Sequence, residues 1–388
     1  MQGDSFCALP WLSLSVDNQG RSRICCNNDA HYAGPWREEI NDMHTVAEAM
    51  GTPYHHELRQ AQLRGQRHPS CRKCWDIEDL GGRSFRQIWN EVLDTHEPPS
   101  HTAARYLDIT LGNKCNLTCR QCNEWNSHLW QIDNVRLGRG TDPTLTNTRW
   151  FELDPSLRLL ESALETATHV NFLGGEPLIV DQQLELLRHC VALGRAGNIE
   201  LSYNTNMTVI RPGQLELWNQ FKRVNLSVSI DAVAQGNDYI RQNSSWSDIV
   251  RNLHTIHSSC PSVRMTVHST FGTYNALTLH ELVAWSDSFS CFKGRLPWIN
   301  VVHSPQLQDC RNLPTAAKQL ISQRLQQITQ GRSTDSSYSS YQAAINHMLQ
   351  PTEDQGAWQR FWQYVDQLDQ YKHTSIEGSL PELASYRP

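Results

Sequence analysis

Short apolar runs alternate with stretches of helical periodicity through the middle of the chain. RYLDITLG (105–112) alternates apolar and polar positions and ends in glycine, the pattern of a strand feeding a loop. ATHVNFLGGEPLIV (167–180) reads as an apolar strand broken at Gly174-Gly175. DQQLELLRHCVALG (181–194) places apolar residues at helical spacing, with Gly194 as its stop. IELSYNTNMTVI (199–210), RVNLSVSIDA (223–232), SVRMTVHSTFG (262–272) and LPWINVVHSP (296–305) read as further strands. SDIVRNLHTIHSS (247–259) and HELVAWSDSF (280–289) read as helices between them. Six strand-helix units thus fill 105–305, and such alternation implies a parallel sheet. No G-x-G-x-x-G follows a strand, so a dinucleotide-binding α/β fold has no support.

The flanks differ. SLSVDNQGRSRICC (13–26) reads as two short strands around a DNQG turn. Near the other end, AWQRFWQYVDQLDQYK (357–372) puts Trp358, Phe361, Trp362, Val365 and Leu368 on one helical face. The plain reading is a helix packed on the sheet; the other is a lid or partner-docking helix. RSTDSSYSSYQ (332–342) is polar and serine-rich and reads as a loop, and GSLPELASYRP (378–388) as an extended tail. The expected domains are therefore 1–100, 101–310 and 311–388.

Composition narrows the class. The chain has 388 residues, 39% of them hydrophobic, with 13 Trp, enough to bury a core. No apolar run approaches the length of a membrane span, and the mean hydropathy is −0.55. The first twenty residues lack a basic segment followed by an apolar one, so no signal peptide is expected and the expected compartment is the cytoplasm. A net charge of −6 gives no general nucleic-acid footprint. In a reducing compartment the twelve cysteines are better read as metal ligands or thiols than as disulfides. Eight of them lie in the first third of the chain.

The tightest group is Cys115, Cys119 and Cys122 in LGNKCNLTCRQCNEW, a C-x3-C-x2-C spacing on the loop after a strand. A structural zinc site closes with four ligands, and the nearest fourth candidate, His128, is six residues on. Three thiolates instead suit a [4Fe–4S] cluster with one iron left open. At this point the sequence resembles the radical S-adenosylmethionine (SAM) enzymes. The resemblance implies that the open iron chelates the amino and carboxylate groups of SAM. One electron then cleaves the sulfonium, and a 5′-deoxyadenosyl radical abstracts hydrogen from the substrate. One departure stands out: the residue before the third cysteine is usually aromatic in that family and is Gln121 here.

The same resemblance assigns further positions. The Gly174-Gly175-Glu176-Pro177 turn resembles the family's GGE motif. There, glycines let backbone approach SAM and the carboxylate complements its ammonium; read alone, it is a tight turn capped by Glu176. Asn204, Ser229 and Asp231, at strand exits, would lie near SAM, the latter two near its ribose. Arg241 would take the SAM carboxylate, or else is a solvated helix charge. Fold and site together resemble an α/β partial (β/α)6 TIM-like barrel with its chemistry at the C-terminal strand ends.

The second set, Cys7, Cys25, Cys26, Cys71 and Cys74, includes a hairpin glycine, Gly20, five residues before Cys25, and a CRKCW knuckle. Four thiolates there suit zinc or an iron-sulfur cluster. The pattern resembles the twitch (half-SPASM) domain, which implies a second, auxiliary [4Fe–4S] cluster on Cys7, Cys25, Cys71 and Cys74. Cys26 competes with Cys25. Closed by four thiolates, that cluster would pass electrons. The resemblance implies a peptide or protein substrate, or a small hydroxylated or sugar-like metabolite, and an electron donor such as flavodoxin or ferredoxin. A non-catalytic iron-sulfur carrier is the competing class. No catalytic acid, base or hydrogen donor is singled out; Tyr203, Cys260, Cys291, Cys310 and His303 are conceivable.

Overall fold

The computed structural model describes residues 5–28, 38–79, 82–99, 103–352 and 354–388. The expected boundary at residues 100 and 101 lies outside them. Among the described residues eight strands are present: β1 (Ser13–Val16), β2 (Ser22–Arg23), β3 (Tyr106–Leu111), β4 (His169–Gly174), β5 (Glu200–Thr205), β6 (Arg223–Ser229), β7 (Val263–Phe271) and β8 (Trp298–Val301). They form one sheet in the order β2-β1-β3-β4-β5-β6-β7-β8, with β2 and β8 as its open edges. Helices separate the six strands from β3 onward, so the expected α/β partial barrel is the fold. In β6 the apolar Val224, Leu226 and Val228 alternate with polar residues, and burial alternates half-buried and buried residue by residue.

The chain divides into two compact units, 1–114 with 142–203 and 216–224, and 115–141 with 204–215 and 225–388. In the first, the hairpin β1-β2 is antiparallel, while β1 pairs in parallel with β3. The N-terminal hairpin therefore extends the same sheet. β3 pairs with β4 from Tyr106↔His169 to Leu111↔Gly174, and β4 with β5. Gly20, at φ +79°, closes the hairpin where a Cβ would stand 2.7 Å from Trp150, so only glycine fits. Phe6, Leu9, Leu12, Leu93 and Tyr106 form a core under the N-terminal cysteines.

In the second unit β7 pairs in parallel with β8. The chain beyond β8 is helical: Thr315–Thr329, Tyr338–Leu349 and Ala357–Lys372. The last matches its expected span, with Phe361, Trp362, Val365 and Leu368 buried. Two expectations fail here. The loop reading of 332–342 holds only to Ser337, because Tyr341, Ala344, Ile345 and Met348 make a buried helical face that the serines obscure. The extended tail is instead two short helices, Ile376–Ser379 and Pro381–Ala384; a Ser375 cap starts the first, and Ile376, Leu380 and Leu383 are buried.

Candidate active site

The loop carrying Cys115, Cys119 and Cys122 leaves β3 and is fastened by its backbone. Thr118 N–H donates to the Gln242 carbonyl at 3.1 Å and Arg120 N–H to the Ile240 carbonyl at 2.7 Å. Inside the loop, Ser127 Oγ donates to the Leu117 carbonyl, and Trp130 Nε1 to the Cys119 carbonyl. The three cysteines pack as one cluster around Leu117. The Leu117 N–H points at Cys115 Sγ from 3.4 Å, a donor that favours thiolate. Burial, reinforced by Cys119, holds the Cys122 thiol well above its ordinary range. His128 turns its Nδ1 to accept the Cys115 N–H at 3.2 Å, so it braces the loop backbone.

Arg241 faces these sulfurs. Its burial alone would weaken the charged form, but nearby Cys119 and Asp231 outweigh that and hold the guanidinium charged. Asp231 Oδ2 accepts from Arg241 Nη1 at 2.7 Å, and Oδ1 accepts the Thr270 N–H at 2.8 Å. Asn237 and Asn275 fix the backbone of Asp231. Ser229 is half-buried at the end of β6, and Asn204 is exposed near the end of β5. Gln121, the departure from the family pattern, sets its amide against Gly272 and Asn275.

Two residues here carried no recognisable sequence signal. Asn116, between the first two cysteines, bonds Asn206 at 2.9 Å and Thr208 at 2.8 Å, tying the loop to the chain after β5. Arg120 is buried and reaches Asp369 at 2.6 Å and Thr374 at 2.7 Å. Its guanidinium also lies 3.8 Å from the Tyr239 ring centre.

The Gly174-Gly175 turn, in the other unit, presses on 111–114, the residues that lead to Cys115. A Cβ on Gly175 would stand 2.4 Å from the Lys114 carbonyl oxygen, and Gly174 has φ +139°. Glu176 N–H donates to that same oxygen at 2.8 Å. The Glu176 side chain is buried and its Oε1 accepts the Leu178 N–H at 3.0 Å, with Pro177 starting a short helical turn. The expected cap is real. It uses Oε1.

The N-terminal thiols also converge. Cys7, Cys25, Cys71 and Cys74 line one small cavity with Arg86 and Phe85. Burial raises all four, and Cys25, Cys71 and Cys74 raise Cys7 further. The backbone at Leu9, Asn27 and Arg86 works against burial at Cys7, Cys25 and Cys74 by favouring thiolate, and the Ser70 side chain does so at Cys71. Cys26 does not line this cavity. Its thiol is hydrogen-bonded to the buried Asp108, which Ser15 and Asn171 hold in place. Four thiolates on one zinc stand about 3.8 Å apart, from a Zn–S bond of about 2.3 Å. Among the described residues no three thiols of either set lie within 4.8 Å of one another.

The comparisons bear on this geometry. The family described as the Radical SAM superfamily matches residues 109–282. No curated protein matches. Among solved structures the chain is similar to native anSMEcpe with bound AdoMet, at TM-score 0.43 and 15% identity over 58% of this chain and 59% of that one. It is similar to Streptococcus suis SuiB bound to S-adenosylmethionine at TM-score 0.37 and 14% identity, over 59% and 45%. It thus spans less than two thirds of either relative. TYW1 with a lysine-pyruvate adduct bound is similar at TM-score 0.33 and 13% identity, over 60% and 76%. The match to the Radical SAM superfamily runs from β3 through the cysteine loop to the helix after β7.

Proposed function

We propose that this chain is a radical SAM enzyme that abstracts hydrogen from a peptide or protein, and that it carries a second iron-sulfur cluster. The carrying observation is Arg241, a half-buried cation held by Asp231 against the three thiols of the 115–122 loop. A guanidinium there suits a bidentate grip on the carboxylate of SAM. Cys115, Cys119 and Cys122 hold a [4Fe–4S] cluster, which, when bound and reduced, supplies the electron that splits SAM into methionine and the 5′-deoxyadenosyl radical. Gly174, Gly175, Glu176 and Pro177 take the SAM amino group through backbone and carboxylate, and Asn204 and Ser229 its remaining polar groups. Asp231 acts through Arg241.

Cys7, Cys25, Cys71 and Cys74 hold the auxiliary cluster. Buried thiols with backbone groups favouring thiolate suit cluster ligands, and Arg86, ion-paired with Glu78 at 2.6 Å, offsets their charge. Four protein thiolates leave no open iron, so this cluster serves electron transfer. The peptide assignment rests on the resemblance to twitch proteins. Electrons come from a reduced flavodoxin or ferredoxin. No described helix is long and apolar enough to cross a membrane.

Anaerobic reconstitution tests this. About eight irons per chain, and 5′-deoxyadenosine released from SAM plus reductant, are expected from two four-iron clusters; zinc without iron overturns the reading. Cys119→Ala should abolish SAM cleavage. For the substrate, a cell extract should stimulate 5′-deoxyadenosine release, and protease treatment of the extract should remove the stimulation. Stimulation that survives protease points to the small metabolite instead.

A further inference from the structure

Beyond β8, three side chains from separate segments meet outside both cysteine sets. His303 lies on the loop after β8 and is exposed, Asp309 caps the turn Cys310–Asn312 and is buried, and His347 lies on the helix Tyr338–Leu349. Among the described residues these are the group of three whose ligand atoms all fall within 4.8 Å of one another. His347 Nε2 lies 3.0 and 3.2 Å from the two oxygens of Asp309. The His303 and His347 rings stand 5.1 Å apart at 89°, so neither stacks on the other.

The carboxylate is held from behind. Arg311 donates its backbone N–H to Oδ1 at 2.8 Å and its Nε to Oδ2 at 3.0 Å. Thr273 Oγ1 bonds the Asp309 carbonyl at 3.2 Å. A ligand oriented by its own outer partners is the usual construction of a metal site. The adjacent Gln308 donates its side-chain amide to the Arg120 carbonyl, in the loop between Cys119 and Cys122. The group therefore adjoins the segment that carries the radical SAM cysteines.

We propose that His303, Asp309 and His347 bind a divalent transition-metal ion, with zinc the best match. Two imidazoles and one carboxylate are the donor set of three-ligand zinc sites. In the metal-free chain the proton between His347 Nε2 and Asp309 stands where the ion binds, and metal binding displaces it. Three protein ligands leave a fourth position on a tetrahedral ion. Because His303 is exposed, that position opens to solvent and takes water or an anionic oxygen of a bound molecule.

The test uses the full chain with its clusters already reconstituted, titrated anaerobically with cobalt(II) chloride. One added cobalt per chain is expected, with weak visible bands, no sulfur-to-cobalt charge transfer, and bleaching when zinc is added. His303→Ala and His347→Ala should each weaken binding by more than about 100-fold, beyond the 10–100-fold typical of losing an outer partner. The exposed His303 side chain makes its variant a fair control for folding, checked by unchanged iron content. No cobalt bound, thiolate bands in the spectrum, or affinity in both variants equal to the parent's would overturn the proposal. The readout does not depend on SAM cleavage. Lost cobalt binding with intact cleavage refutes this site alone, and the converse refutes only the enzyme reading.

Discussion

Arg241 is half-buried beside three sulfurs, and what keeps it charged is Asp231 as much as the thiols. The sequence reading placed Asp231 near the SAM ribose; in the structure both of its oxygens are engaged within the protein. Asp231→Asn removes the charged partner that aims Arg241. A hydrogen bond to a charged group is worth about 1.5–3 kcal/mol, so the dissociation constant for SAM should rise by about tenfold or more, read by equilibrium dialysis. An unchanged constant would remove Asp231 from the site. The cysteine choice is equally sharp. Cys25 lines the four-thiol cavity, whereas Cys26 faces Asp108. Cys26→Ser should keep the iron content of the reconstituted chain, and Cys25→Ser should lose about half of it, as four irons of eight. The reverse result would reassign the ligand. Neither choice was legible in CC, since adjacent residues of an irregular loop carry no signal of which side each faces.

The helix Ala357–Lys372 shows how far periodicity reaches. Its span and apolar face follow from five residues at helical spacing. Its polar face does not, because that face is specified by a partner far away in the chain. Asp369 accepts from Arg120, Tyr239 Oη and the Ile376 N–H. Lys372 and Tyr371 both bond Asp133. Arg120 carries no signal in the sequence, because a pairing 249 residues apart leaves no local pattern. The six-unit alternation, the cysteine loop and the GGEP turn were legible for the opposite reason: each is local. The serine-rich 332–342 run misled because its helix is specified by one tyrosine and three aliphatics spread over 341–348. Removing the Asp369 charge leaves a buried guanidinium unpaired, which costs about 3–5 kcal/mol. Asp369→Asn should therefore lower the urea midpoint substantially and reduce iron retention by the 115–122 loop. A midpoint within error of the parent would show that this helix does not brace the loop.

Across the whole molecule, groups in both units set the same limits on stability. Burial, helped by Arg59 and His56, lowers His55 to about 3, and burial lowers His268 to about 4. His55 is fully buried and its Nδ1 is bonded to Thr52 Oγ1 at 2.8 Å. Between about pH 4 and the ordinary histidine value near 6.5, the unfolded chain carries these protons and the folded chain does not. Stability therefore falls as pH drops through that window. Glu200 adds to the loss at lower pH: burial would raise it, but Lys222 and Arg223 outweigh burial and lower it. On the alkaline side burial raises Cys190 to about 12, and raises Tyr274 and Tyr341. From about pH 9 upward the unfolded chain releases protons that the folded chain keeps, so stability falls again. The urea midpoint of the reconstituted chain should be flat between about pH 7 and 9 and decline on both sides. Each titrating group contributes at most about 1.4 kcal/mol per pH unit. His55→Gln should flatten the acid limb and leave the alkaline one, and Cys190→Ala should do the opposite. Because each variant is compared with its parent at the same pH, cluster loss common to both cancels. An acid limb of equal slope in His55→Gln would mean that acid sensitivity arises elsewhere.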